Sequence, residues 1–195
     1  MTPNSALDFS PADERWERVD GMEQFGVVWK RVCAHQERPR WGGLLRPKKT
    51  PLYDVMTWRA GEVAIRTEQD AVEWAKQAGL SAVSVEMRPF GARRLLSVVH
   101  KVRQPPPSLG VMYGATIALP GGYLSVDCQE FGVTGVRSTV VTNRLLAEGW
   151  RIDEERLEEL VRAVEDERWD AQFPFSPIAR VRRYLRELEP QLSTA

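Results

Sequence analysis

Two cysteines and two histidines are the residues of this chain that could supply a thiolate or an imidazole base. His100 and Cys128 are the one pair to weigh as base and nucleophile, since both fall in segments of alternating hydrophobicity that could share one side of a sheet. A thiolate needs a base within hydrogen-bond reach and an electropositive, partly open setting. Cys128 keeps step with Leu124 and Val126, which predicts an apolar and inert thiol instead. Cys33 and His35 stand close together, but no third ligand completes a metal set. Neither a metal nor a cofactor is expected.

Phosphate chemistry finds no better footing. Gly42-Gly43 and Gly121-Gly122 lack the Lys-Ser/Thr of a phosphate loop. Gly132-Val133-Thr134-Gly135 could open an anion-friendly helix N-terminus, and reads more simply as a turn. Carboxylates crowd 153–170, including Glu154, Glu155, Glu158, Glu159, Glu165, Asp166 and Glu167, at helical spacing beside arginines. Such a run predicts a solvated face. The expectation is a protein that is not an enzyme, with a cysteine-dependent enzyme using Cys128 and His100 as an alternative.

Binding residues are easier to find. Residues 34–51 hold Arg38, Arg40, Arg46, Lys48 and Lys49 with no acid after Glu37, and Trp41 and Leu44 lie among them. This reads as a long basic loop, whose cations could grip phosphates while Trp41 stacks a base. The acidic run at 153–170 would repel a nucleic-acid backbone, so nucleic acid is the disfavoured partner and a protein the favoured one. The second candidate is a helix over 177–189. There Ile178, Val181, Leu185 and Leu188 form a narrow apolar seam, flanked by Arg180, Arg182, Arg183 and Arg186. Arginine suits interfaces and carboxylate recognition. The seam predicts contact with another protein or with a second copy of this chain.

The elements that must position these residues centre on Ser81–Phe131. Ser81, Val83, Val85 and Met87 alternate with polar residues, which predicts a half-buried strand. Pro89-Phe90-Gly91 reads as a turn, and 92–102 as a central strand apolar on both sides: Leu96, Val98, His100 and Val102 on one, Leu95 and Val99 on the other. Residues 111–119 and 123–131 read as a hairpin about Pro120-Gly121-Gly122. Upstream, 24–33 and 52–58 read as strands, Glu62–Arg66 as a short arm, and Pro11–Val19 as a short helix capped by Ser10. Thr67 and Asp70 mark a capping box before the stripe Ala71, Trp74, Ala75 and Ala78. A helix is expected from Thr134. Another follows Asp153, with Ile152 and Leu157 as a hydrophobic staple and Leu157, Leu160, Val161 and Val164 as its buried stripe.

These elements predict an α+β fold: a mainly antiparallel sheet of about six or seven strands, with helices packed on it and two C-terminal helices. The expected organisation is a tail and short helix over 1–23, an α+β domain over 24–150 with the basic loop 34–51, and a helical extension over 151–195. The chain has 195 residues, and 27 basic residues balance 27 acidic ones, so no global charge draws it to nucleic acid or membrane. The uncharged span from Gln104 to Val126 holds four prolines and four glycines, too many for a membrane helix. The polar N-terminal residues and two lone cysteines suggest a cytoplasmic protein.

The strand-Pro-Gly-Gly-strand-helix order over 111–147 resembles the PsbP-like or DcrB-like α+β sandwich. That resemblance spans about Gln24–Trp150 and implies an adaptor, chaperone or accessory role. It carries no site residue over to this chain.

Overall fold

The computed structural model describes residues 11–38, 48–61, 65–90, 93–104, 110–119, 121–131 and 134–192. Its frame is one antiparallel sheet of seven strands in the order β1-β2-β3-β7-β6-β5-β4. The strands are β1 (Glu17–Val19), β2 (Val27–Arg38), β3 (Lys48–Ala60), β4 (Ser81–Phe90), β5 (Arg93–Arg103), β6 (Val111–Leu119) and β7 (Gly122–Cys128). The helices are α1 (Glu68–Gln77), α2 (Val136–Ala147), α3 (Leu157–Glu165) and α4 (Pro177–Leu192). The fold is α+β, with two of its helices near the C-terminus.

Period-two sequence becomes two unlike sheet faces. One face turns Trp29, Met56, Trp58, Leu95, Val99, Ile117, Leu124, Val126 and Cys128 into the main core, where α4 covers them with Val181, Tyr184, Leu185 and Leu188. The other face sets Leu96 and Val98 against Ile65 and Ala71, with Trp74 of α1 beside them. Strand β5 is therefore apolar on both sides because a helix lies over each. At the β6–β7 hairpin Gly121 takes φ +83°, a conformation that side chains with a β-carbon rarely adopt. Thr67 and Asp70 close the expected capping box on α1.

Several expectations fail locally. Pro11–Val19 is not a helix: Glu17–Val19 pairs with β2 as an edge strand, and Trp16 is buried in the main core. The 34–51 stretch is not one long loop, since β2 continues to Arg38 and β3 resumes at Lys48, with Arg38 opposite Lys48. Strand β4 runs through Pro89 to Phe90, where a turn was expected. Ile65 and Arg66 are not strand; Ile65 is buried beside α1.

A bulge between Ala82 and Ser84 also breaks the alternation of β4. An extra residue in one strand reverses the facing of the residues beyond it. Val83 thus joins the α4 side, while Val85 and Met87 join the α1 side. Helix α3 starts later than its Asp153 signal suggests. Ile152 and Leu157 are 60% and 51% exposed, so they form no staple.

Candidate interaction surface

The register of the central strands separates the two residues that looked most like a catalytic pair. Tyr113 lies opposite Lys101 on one side and Cys128 on the other, so Cys128 shares the face of Lys101. His100, one residue earlier, points to the opposite face. Cys128 is fully buried, and burial together with the nearby Asp54 charge pushes its thiol well above the usual range. Cys33 is held up to about 11, first by burial and then by Asp54. Neither thiol is set up as a nucleophile, and Cys128 with His100 is corrected to two unrelated core residues. His100 faces Thr116, with Nε2 3.3 Å from Oγ1, and burial lowers its pKa to about 4.

The C-terminal seam is core. Ile178, Val181 and Leu185 are each at most 1% exposed, because α4 lies across the centre of the sheet. Arg180 does not flank an interface. It is buried and forks onto Asp54, with Nε and Nη2 each 3.0 Å from a carboxylate oxygen. It also donates to the carbonyls of Gln129 and Phe175. Tyr184 adds its hydroxyl to Asp54 Oδ2 at 2.8 Å. Of the flanking arginines, Arg186 is exposed and Arg183 keeps 40% of its side chain open. At the basic stretch, Lys49 is exposed and pairs in register with Glu37. Arg38 and Lys48 end the strands, and Arg40, Trp41 and Leu44 lie outside the described residues.

Between the sheet and α4 the chain builds a helical lobe that the sequence patterns pointed to less clearly. Helices α2 and α3 and the connector 166–175 enclose Val141, Leu145, Leu160 and Trp169 as a separate small core. Polar bonds brace the lobe internally and join it to α4 and the sheet. Arg137 donates to Asp170 at 2.6 Å, to Ser176 at 3.2 Å and to the Asp166 carbonyl at 2.8 Å. Arg182 reaches Asp170 and the Glu165 carbonyl from α4. Glu165, expected on the solvated acidic face, is buried. Its Oε1 accepts from Lys101 Nζ at 2.5 Å and from Tyr113 at 2.9 Å. Burial and the Glu165 charge raise the Tyr113 phenol.

Two cavities flank α2. One of about 470 Å³ is walled by Phe131, Phe173, Phe175 and Val136, with Cys33 and Arg180 at its base. Phe175 stands at its rim, 77% exposed. The other, of about 450 Å³, lies between α3 and the β5–β6 pair and contains the Lys101–Glu165–Tyr113 cluster. The supposed buried stripe of α3 is half outside: Leu160 is buried, whereas Leu157 and Val161 are exposed at this second opening. No family model, curated protein or solved structure matches this chain. Among the described residues, no helix is long and apolar enough to cross a membrane.

Proposed function

We propose that this protein is a non-enzymatic interaction module, an adaptor, chaperone or accessory subunit, that binds another protein through its helical lobe. One observation carries the reading. Eleven large hydrophobic side chains are exposed among the described residues, and seven of them lie between Val136 and Phe175. Single exposed apolar residues are ordinary, whereas a concentration on one lobe is the usual mark of a contact surface. Phe175 at the mouth of an aromatic-walled cavity has the character of an interface anchor.

The rim gives the partner a sign. Asp153–Glu167 exposes seven carboxylates against two arginines, with Glu165 turned inward, so a complementary surface presents apolar side chains flanked by basic ones. The same run disfavours nucleic acid. A cytoplasmic setting and a PsbP-like or DcrB-like α+β sandwich fit this role and are parts of the proposal.

Site-specific photo-crosslinking in native cells tests it. A benzoylphenylalanine at Phe175 or Val136 is expected to trap one discrete partner, identified by mass spectrometry, and Leu157→Glu with Val161→Glu should weaken the trapping. Capture no stronger than at a control position such as Arg18 would defeat the reading.

A further inference from the structure

We propose that the cavity between α3 and the β5–β6 pair binds a small anionic amphiphile: one unbranched apolar chain ending in a carboxylate. This goes beyond the protein-binding role and uses a different cavity from the one beside Phe175. At about 450 Å³ the space lies within the range of small-molecule sites, which favour junctions between structural units and combine apolar walls with a few convergent polar groups. The tail would lie along Val111, Leu160 and Val164. Leu157 and Val161 stand at the opening with 51% and 38% of their surface exposed, and a bound chain would cover both.

The charges at the sheet end set the sign of the head group. Lys101 and Arg103 lie two residues apart on β5, so both point toward α3. Glu165 is the carboxylate lining the cavity, and its Oε1 already takes Lys101 and Tyr113. Arg103 makes no ion pair among the described residues, so one positive charge is left uncompensated at the cavity wall. The nearby Glu158 and Glu159 are turned to solvent and paired with Arg162 and Arg156 on their own helix. Lys101 is held in place by a buried carboxylate and has N–H donors to spare, so it can meet a head group with little reordering, while the Tyr113 proton stays with Glu165.

Isothermal titration of the full chain with decanoate, 1-decanol and decylammonium, each below its aggregation concentration, tests this. Decanoate is expected to bind saturably with one site per chain, more tightly than the alcohol and far more tightly than the amine. Arg103→Glu should weaken decanoate about ten-fold, a change of about 1.4 kcal/mol. Val161→Asp should abolish it. Both positions are exposed, so melting temperatures should stay within about 2 °C of the parent. Phe175→Asp should leave decanoate binding intact, which separates this site from the cavity beside Phe175. Absence of saturable heat, equal affinity for alcohol and carboxylate, or an unaltered Arg103→Glu variant would each overturn the proposal.

Discussion

Opposite Gly114, side chains from two neighbouring strands close on the same small space. A β-carbon added there would lie 2.5 Å from Asp127 Oδ1 and 3.1 Å from His100 Nδ1. Gly114→Ala should therefore destabilise the fold, by about 1–3 kcal/mol in denaturant unfolding, as overpacked positions do. The two neighbours also titrate in opposite senses. Burial lowers His100 from 6.5 to about 4, so unfolding takes up a proton and stability falls as pH drops through that window. Burial raises Asp127 from 3.8 to about 6, so the folded carboxyl keeps a proton that the unfolded one loses. Its contribution falls as pH rises from about 3.8 to 6. Between about pH 4 and 6 the two slopes oppose each other. Asp127→Asn removes one of them, so its stability should decline on acidification more steeply than the parent's, by at most about 1.4 kcal/mol per pH unit. Urea unfolding at several pH values checks this, and parallel profiles for parent and variant would refute it. Cys128 belongs to the same scale: buried and pushed up, it should react with iodoacetamide near neutral pH only at the rate of unfolding.

Helix α4 is the element on which the main core depends. Its apolar residues contact strands from both halves of the sheet, and Arg180 carries a positive charge to Asp54 in the interior. A buried pair of this kind is costly to break, because the survivor is left charged and unpaired. Arg180→Ala should lower stability by about 3–5 kcal/mol. Leu185→Ala, which opens a cavity in the same layer, should lower it by about 2–5 kcal/mol. Truncation after Phe175 should yield a chain without cooperative thermal unfolding. If the truncated chain melted cooperatively, α4 would be an appendage rather than core.

At the scale of the molecule the two parts are joined by different physics. The sheet and α4 share a continuous apolar core, whereas the α2–α3 lobe encloses its own cluster, meets the sheet through Glu130 and Glu165, and meets α4 through Arg182 and the Arg137–Ser176 bond. Junctions of this polar kind open more readily than packed cores. Amides of α2 and α3 are expected to exchange at lower protection than those of β5, β6 and β7. Equal protection in native-state hydrogen exchange would show that lobe and sheet open as one unit. A lobe that opens separately would expose the cavity beside Lys101.

Local pattern was enough for features that depend on local physics. The alternation of 92–102, 111–119 and 123–131 located β5, β6 and β7 and the facing of their side chains, although β7 stops at Cys128. The Thr67–Asp70 box fixed the start of α1, since a helix N-terminus needs acceptors from adjacent residues. Features that depend on how strands align were not legible. A one-residue bulge at Val83 reversed the facing of Val85 and Met87. Register put His100 and Cys128 on opposite faces, because neighbouring side chains on paired strands alternate. The arginines of α4 looked like a solvated or partner-facing rim, since a helical wheel cannot know that Asp54, 126 positions away, waits inside the sheet for Arg180. The same reason hid Glu165 among its exposed acidic neighbours: its partners, Lys101 and Tyr113, come from strands that only the tertiary fold brings beneath α3.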